Sequence, residues 1–265
     1  MTQPERYLEG THAVVTGASR GIGAAVAEAL AARGAAVTLM ARDAAALARQ
    51  QAAMTAATGS APPVQSIVCD VTDDASVEAA FRQAADAFGP VGILVSNAGT
   101  AESALFGATT RELWDRMLAV NLTASYSCVS QVLPAMIAAR SGRIVTIAST
   151  AGLRGYKTMT AYCAAKHGLI GFTRALALET AKHGVTVNAV CPGYTETALA
   201  DRAVANIVAS LDRTEDEARA MMVRIIPRGT LTSPAEVADA VAWLCAPGSG
   251  AITGIALPVA GGEVG

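Results

Sequence analysis

The chain has 265 residues and a formal net charge of −2, with 20 Lys and Arg against 22 Asp and Glu. Apolar residues make up 52% of the sequence and charged residues 16%, so the chain can bury a large core and intrinsic disorder is excluded. The charge balance also lacks the basic excess that nucleic-acid binding requires.

Short apolar runs alternate with alanine-rich stretches along the chain. In chain order, the predicted strands are His12–Thr16, Val37–Ala41, Val64–Cys69, Ile93–Ser96, Arg143–Ala148, Val185–Val190 and Ile255–Val259. The predicted helices are Gly21–Arg33, Ala44–Ala57, Ala75–Phe88, Arg111–Arg140, Ala161–Lys182 and Ser233–Leu244. We expect Pro134 to kink the fourth helix, and a capping box to open the last one, with Ser233 at the N-cap and Glu236 at N3.

This alternation predicts the fold class, which is α/β. Continuously apolar strands separated by helices are typical of a doubly wound, Rossmann-type parallel sheet, here of about seven strands with helices on both faces. No domain boundary is visible, so we expect one domain over residues 1–265. Within it, residues 192–228 are the least regular and are predicted to form a mobile substrate-binding flap.

Several kinds of protein are excluded by features that the sequence lacks. The 5 cysteines contain no CxxC pair and the 3 histidines no HExxH pattern, so we expect neither a disulfide framework nor a metal site. No run of 18 uncharged apolar residues occurs, and the charged first ten residues do not resemble a signal peptide. We therefore expect a cytoplasmic protein without a membrane span.

A glycine-rich turn connects the first strand to the first helix. Its glycines follow the pattern G-x-x-x-G-x-G, and the turn contains Gly17, Ser19, Arg20, Gly21, Ile22 and Gly23. Glycine allows the backbone to turn tightly beside a pyrophosphate, and the helix N-terminus offers free N–H groups to it. This position between strand and helix predicts a dinucleotide-binding turn.

The spacing of these glycines resembles that of the short-chain dehydrogenase/reductase family, and motifs along essentially the whole chain support the resemblance. They are Asp70-Val71 after the third strand, Asn97-Ala98-Gly99 after the fourth, Asn121, Ser149, Tyr162 with Lys166, and Pro192-Gly193 with Thr195 and Thr197. Ser96 departs from the pattern, since the family has asparagine there. The resemblance implies that the residues near the strand ends bind the cofactor and that Asn121, Ser149, Tyr162 and Lys166 form the catalytic group.

The catalytic chemistry depends first on Tyr162 and Lys166, which lie four residues apart and so on one face of a helix. An adjacent ammonium is expected to lower the phenol's pKa, so that Tyr162 can exchange a proton with a substrate oxygen. Ser149 would hydrogen-bond the same oxygen. The family resemblance implies that Asn121 helps to hold a water relay toward Lys166.

The residue after the second strand is expected to select the cofactor. An acid there would bind the ribose 2′-hydroxyl and repel a 2′-phosphate, whereas this chain has Ala41 followed by Arg42. Together with Arg20 in the glycine turn, Arg42 could bind a 2′-phosphate. The sequence therefore favours NADP (NADPH) over NAD, unless both arginines are simply solvated and Asp43 neutralises Arg42.

The substrate is less well defined by the sequence. The predicted pocket walls are mostly apolar: Ala151, Leu153, Tyr156, Tyr194 and Leu199. Basic residues could form a rim around the pocket, or could pair with acids on solvated helices: Arg154, Lys157, Arg202, Arg213, Arg219 and Arg224.

The flap resembles those of 3-oxoacyl-thioester reductases and polyketide ketoreductases, which implies a ketone carried on coenzyme A or a carrier protein. An alcohol, sugar, steroid or alicyclic dehydrogenase and a non-catalytic dinucleotide-binding protein are the alternatives. The family resemblance also implies a homotetramer in which the two long helices pair.

Overall fold

The computed structural model describes residues 6–58 and 62–264, and its centre is one sheet of seven parallel strands. The strands are β1 (His12–Thr16), β2 (Ala36–Ala41), β3 (Val64–Val68), β4 (Ile93–Ser96), β5 (Gly142–Ile147), β6 (Val185–Pro192) and β7 (Ala256–Val259). Their spatial order is β3-β2-β1-β4-β5-β6-β7, and every neighbouring pair is parallel. The predicted doubly wound sheet is confirmed, with strand ends shifted by one or two residues.

Helices cover both faces of the sheet. They are α1 (Gly21–Ala32), α2 (Ala44–Thr58), α3 (Asp74–Phe88), α4 (Arg111–Leu118), α5 (Ala124–Ala139), α6 (Thr160–Thr180), α7 (Ala198–Leu211), α8 (Glu215–Val223) and α9 (Pro234–Cys245). Adjacent residues of β1 point to opposite faces: Val15 packs in the core layer with α1 and α9, and Val14 in the layer with α3 and α5. This two-sided burial explains why the strands are apolar throughout.

The predicted fourth helix is interrupted before Pro134. Residues Ala119–Thr123 form a π-helical turn between α4 and α5, and Pro134 lies inside α5. The irregular turn carries Asn121, and the expected kink at Pro134 stays a prediction. Such π turns are frequent at functional sites.

The segment 192–228 is more regular than its sequence suggested. Helices α7 and α8 pack on each other through a small apolar cluster that includes Val204, Ala218 and Met222. A capping box formed by Thr214 and Glu217 opens α8. The expectation of an irregular flap is therefore wrong in this respect, because two helices cover this side of the molecule. The capping box predicted at Ser233 is confirmed.

One helical stretch of the described residues, Arg111–Ala139, is long and apolar enough to cross a membrane by length and composition alone. Its α5 part supplies Cys128, Val129 and Val132 to the core against the sheet. Core helices of this kind meet the same criteria as membrane spans.

The topology fixes the place of the site. The strand order reverses between β1 and β4, and ligands of such sheets bind at the carboxyl ends beside this switch point. The glycine turn follows β1, and Asn97 follows β4, so the two predicted cofactor segments meet there.

Candidate active site

The glycine turn has almost no free space for side chains. A Cβ on Gly23 would lie 2.4 Å from the carbonyl oxygen of Gly17, and a Cβ on Gly17 would lie 2.8 Å from Asn97 Nδ2. Gly17 and Gly21 also have positive φ angles of 65° and 57°. Each of the three glycines is therefore required by backbone conformation or by close packing.

The turn is held against the end of β4 by hydrogen bonds. Asn97 Nδ2 donates to the carbonyl oxygens of Thr16 at 2.8 Å and Gly17 at 3.2 Å. Thr16 Oγ1 accepts from the backbone N–H groups of Asn97 and Ala98, both at 3.0 Å. The departure at Ser96 is accommodated because its hydroxyl lies 2.8 Å from that of Ser125 on α5.

The first turn of α1 is suited to bind an anion. Its N-cap residue, Arg20, makes no side-chain capping bond, and no acidic residue lies in the first turn. The N–H groups at Gly21, Ile22 and Gly23 can therefore point to a ligand instead of to a cap. Ser19 is half-buried in the same turn.

Arg20 and Arg42 both have exposed side chains at this edge of the sheet. The side chain of Arg42 is 78% exposed, and its nearest carboxylate is that of Asp70, at 4.0 Å. The alternative in which Asp43 neutralises Arg42 gains no ion pair within 4.0 Å among the described residues, and Asp43 Oδ1 accepts the N–H of Ala46 at the start of α2.

The remaining predicted cofactor residues lie along the same carboxyl edge. Asp70 accepts two hydrogen bonds from Thr72, which lower the pKa of its carboxyl group, and Val71 is buried behind it. Past β6, Thr195 Oγ1 donates to the carbonyl oxygen of Gly193, and a Cβ on Gly21 would lie 3.2 Å from Thr197 Cγ2. The residues after Pro192 therefore reach back to the glycine turn, as the resemblance implied.

The structure brings together Ser149, Tyr162 and Lys166. Ser149 follows β5 and caps a short 3-10 turn, where its hydroxyl accepts the N–H of Ala151 at 3.1 Å, and its interaction with the Tyr162 phenol lowers the pKa of that phenol. Lys166 is one turn further along α6, and its Nζ lies 5.8 Å from the centroid of the Tyr162 ring. Lys166 Nζ donates to the carbonyl oxygen of Ile147 at 2.8 Å, which fixes the lysine beneath the site.

Burial shifts the pKa values of both Tyr162 and Lys166. It raises the pKa of Tyr162 to about 12, although the hydrogen bond with Ser149 lowers it, and it lowers the pKa of Lys166 to about 8. The expectation that the pKa of Tyr162 lies below its ordinary value is therefore wrong. Loss of solvation outweighs the lowering by Ser149, so Tyr162 holds its proton at neutral pH and can act as an acid.

Asn121 is buried on the π turn and joins the site from the opposite side. Its Nδ2 donates to the carbonyl oxygens of Thr100 at 2.9 Å and Met117 at 3.0 Å. A Cβ on Gly99 would lie 2.8 Å from Asn121 Oδ1 and 3.6 Å from Lys166 Nζ, so the amide and the ammonium approach each other across this glycine.

The five predicted pocket walls lie in four separate places. Ala151 and Tyr156 share an apolar cluster with Tyr162 and Cys163. Leu153 packs instead in the core cluster that contains Ile170 and Cys191, and Tyr194 packs in the α7–α8 cluster. Leu199 is partly exposed on α7.

The predicted basic rim is partly paired. Arg213 pairs with Glu217 at 3.5 Å and Arg219 with Asp201 at 2.9 Å, as the solvated-helix alternative predicts. Arg154 pairs with Glu263, at 3.5 Å. Within the part of the chain that the structure describes, Lys157 and Arg224 have no ion-pair partner.

Sequence reasoning missed Glu263. This carboxylate is buried beside the site and accepts a short hydrogen bond from the Tyr156 hydroxyl. No local motif marks it, because its neighbours in space come from the distant β5–α6 segment and from Gly193. The only available signal was an acid in an otherwise apolar C-terminal segment.

A dinucleotide cradle at the switch point of a parallel sheet, with a proton donor beside it, defines the class of dinucleotide-binding oxidoreductases. A family model described as short chain dehydrogenase matches residues 11–208. The chain belongs to this family.

Curated relatives and solved structures match over nearly the whole chain. A putative ketoacyl reductase of the granaticin polyketide synthase from Streptomyces violaceoruber is 40% identical over 252 residues, covering 94% of this chain and 92% of the relative. The 3-oxoacyl-[acyl-carrier-protein] reductase of Escherichia coli is 40% identical over 255 residues, covering 96% and 98%.

Two crystal structures extend the comparison to the fold. A variant of actinorhodin polyketide ketoreductase with NADPH is 37% identical, with a TM-score of 0.91, and the match covers 99% of this chain and 98% of that one. Levodione reductase is 28% identical, with a TM-score of 0.92 and coverage of 96% and 98%.

Proposed function

We propose that this short chain dehydrogenase uses NADPH to reduce a ketone to a secondary alcohol, and that the ketone is a 3-oxoacyl thioester. The observation that carries the proposal is the buried Tyr162–Lys166 pair, with Ser149 beside the phenol, next to the glycine cradle. A protein that only sensed the dinucleotide would not need this group.

The residues of the cradle fit a dinucleotide. The tight turn that Gly17 and Gly23 permit and the uncapped start of α1 suit a pyrophosphate, while Arg20 and Arg42 suit a 2′-phosphate. Asp70, Val71, Asn97, Ala98 and Gly99 would flank the same ligand, together with Pro192, Gly193, Thr195 and Thr197. When bound, NADPH supplies the hydride.

The protein's own residues supply the proton and the orientation. Tyr162 is protonated at neutral pH, so it can donate a proton to the oxygen of the reduced carbonyl. Ser149 can donate a second hydrogen bond to that oxygen and hold the carbonyl in place. Lys166 lies close to the Tyr162 ring, where it can return a proton to the phenol, and Asn121 can hold a water relay toward Lys166.

Two observations support a thioester as the substrate: the names of the relatives and the exposed cations of the predicted rim. The Escherichia coli relative acts on 3-oxoacyl groups of acyl-carrier protein, and the granaticin relative is a putative ketoacyl reductase. The exposed cations Lys157 and Arg224 are free to meet the phosphates of a pantetheine arm or the acidic surface of a carrier protein.

A comparison of acetoacetyl-CoA with ethyl acetoacetate tests the substrate class. We expect the thioester to have a clearly higher kcat/KM at low salt, because remote contacts position the reacting carbonyl. The advantage should shrink as salt rises, since rim charges are screened over about 10 Å at 0.1 M. Lys157→Gln should reduce it, whereas Lys182→Gln, before β6 at the opposite edge of the sheet, should not.

Equal performance of the two substrates at low salt would contradict the thioester and favour a small-ketone or alicyclic alcohol dehydrogenase. Cyclic ketones therefore belong in the same panel, the more so because levodione reductase shares the fold. If no ketone in the panel is reduced, the non-catalytic alternative becomes the better account.

We further propose that the protein is one domain over residues 1–265, with residues 192–228 as its substrate flap, and that it is a cytoplasmic homotetramer. The contacts of Thr197 with the glycine turn support the flap. All five cysteines are buried free thiols, which suits a reducing compartment.

A further inference from the structure

Glu263 is a buried carboxylate that none of the catalytic steps uses. Its side chain is 1% exposed, and its Oε1 accepts the Tyr156 hydroxyl. Its Oε2 has no hydrogen-bond partner among the described residues and points at Gly193, where a Cβ would approach it to 2.7 Å. Burying a carboxylate with one oxygen unpaired is costly, so a gain elsewhere must offset the cost.

The carboxylate fixes a chain of hydroxyl groups that ends beside Ser149. Tyr156 Oη lies 2.8 Å from Thr150 Oγ1 as well as against Glu263. Burial and the bond to Glu263 raise the pKa of Tyr156 to about 12, so the phenol keeps its single proton. A carboxylate can only accept, so Tyr156 donates to Glu263 and the Thr150 hydroxyl donates to Tyr156.

The Tyr156 ring is held on its face as well as at its hydroxyl. The Arg154 guanidinium lies 4.6 Å from the ring centroid and reaches the carbonyl oxygen of Glu263 at 3.4 Å and its Oε1 at 3.5 Å. The ring packs in one apolar cluster with Ala151 and Tyr162. It is therefore a fixed apolar wall next to the phenol that donates the proton.

We propose that Glu263 is a positioning residue that sets which face of the ketone is reduced, by fixing the Tyr156 ring. The inference rests on the proposed ketone reduction. With the proton donor and the cradle fixed, the configuration of the alcohol depends on which ketone substituent packs against this wall. A wall that is free to move admits both orientations, so selectivity falls.

The test compares product stereochemistry among matched variants. Tyr156→Phe keeps the ring and removes its hydroxyl, and Glu263→Leu replaces the carboxylate with an apolar side chain of similar size and removes both acceptors. We expect either change to lower the enantiomeric ratio of the alcohol made from ethyl acetoacetate by about tenfold, or 1.4 kcal/mol. Glu263→Gln retains one acceptor oxygen and should restore most of the ratio.

The double variant and a distant control separate positioning from general damage. The double variant Tyr156→Phe with Glu263→Leu should have an enantiomeric ratio no lower than that of either single variant, because both changes break the same Tyr156–Glu263 contact. Glu78→Leu, at an exposed ion pair on α3, should leave the ratio unchanged. An unchanged ratio in both single variants, or a wild type that makes both enantiomers equally, would overturn the inference.

Hydrogen exchange gives a readout without turnover. In Glu263→Leu we expect faster exchange of the backbone amides at residues 150–159 than in the wild type, with no change in α3. Unchanged exchange at 150–159 overturns the inference. If the wild type reduces no ketone, the proposed function fails, and this measurement alone decides whether Glu263 positions the segment.

Discussion

Tyr162 and Lys166 show how burial alone can prepare a proton-transfer pair. In water, the phenol and the ammonium ionise at similar pH values near 10. Here burial moves the pKa of the phenol up to about 12 and that of the ammonium down to about 8. Both neutral forms are favoured, so the phenol holds the proton that an alkoxide product requires and the lysine can exchange protons near physiological pH.

Replacement of Tyr162 by phenylalanine tests this role. Tyr162→Phe removes the proton donor but keeps the ring, so we expect kcat for ketone reduction to fall by at least about 10²-fold, the usual scale of acid–base catalysis. NADPH binding, followed by its fluorescence, should be retained. Tyr7→Phe, whose hydroxyl bonds Ala242 away from the site, is the control. Near-normal turnover in Tyr162→Phe would remove the residue from the mechanism.

Cofactor choice is tested at Ala41. If Arg20 and Arg42 bind the 2′-phosphate, NADPH should exceed NADH in kcat/KM by at least tenfold, about 1.4 kcal/mol. Ala41→Asp should reduce or reverse this ratio, because the new carboxylate repels the phosphate and accepts the 2′-hydroxyl. Equal use of the two cofactors by the wild type would mean that the arginines are only solvated.

The residues of the site differ in how far the sequence could predict them. Tyr162 and Lys166 could be predicted as a pair because they lie four residues apart on one helix face, and Ser149 because the family resemblance implied a serine at the end of the fifth strand. Glu263 was not, because its partners Tyr156 and Arg154 come from a segment more than a hundred residues away. Whether a polar side chain is buried depends on the tertiary fold, which no local pattern encodes.

At the scale of elements, the irregular segments were the hardest to predict. The π turn at Ala119–Thr123 has no compositional signal, so the sequence drew attention to Pro134 and not to this turn. In the flap, the many charged residues of α7 and α8 made the two helices hard to recognise from the sequence. The signal that could have found α8 was Thr214 followed three residues later by Glu217.

The glycine turn permits a sharp test of one element. Gly23→Ala would place a Cβ 2.4 Å from the Gly17 carbonyl oxygen and 2.5 Å from Asn97 Nδ2. The turn must therefore open, and we expect loss of measurable NADPH binding and a lower melting temperature. Gly248→Ala is the matched control, because a Cβ there meets nothing within 4 Å. Unaltered NADPH affinity in Gly23→Ala would show that the turn does not form the cradle.

For the whole molecule, the alternation of apolar strands and helices was sufficient to predict the fold, since the inner strands β1, β2, β4, β5 and β6 are buried along most of their length. The sheet also buries one titratable group far from the site. His12 on β1 contacts the carbonyl oxygen of Gly89 at 2.8 Å and the hydroxyl of Thr38 at 2.9 Å. Burial lowers the pKa of its imidazole below the ordinary value of 6.5.

This histidine should make the stability of the fold pH-dependent. Below about pH 6.5 the unfolded chain binds a proton that folded His12 does not, so the free energy of unfolding should fall as pH decreases from 6.5. Above pH 6.5 both states are neutral and the dependence should vanish. Urea unfolding between pH 5 and 8 measures it. His12→Asn should flatten the dependence of the unfolding free energy on pH, and His183→Asn should not. If His12→Asn keeps the wild-type dependence, other groups cause it.

The surface of the molecule carries the last prediction, which concerns assembly. Helices α5 and α6 are apolar, yet each exposes large side chains: Tyr126 is 62% exposed and Leu178 84% exposed. Apolar side chains exposed on neighbouring helices are typical of a subunit interface. In an oligomer with closed symmetry, the same surface of two subunits forms the contact. We expect a homotetramer, or at least a dimer through these helices, with a mass in light scattering well above the 26.8 kDa of one chain.

Leu178→Glu should shift the population toward monomer, because the charge would be buried at the interface. Lys182→Glu changes a residue near the same helix end that is already charged, so it should shift the population toward monomer less. A stable particle of about 27 kDa at micromolar concentration would contradict the assembly and leave these side chains as isolated surface residues.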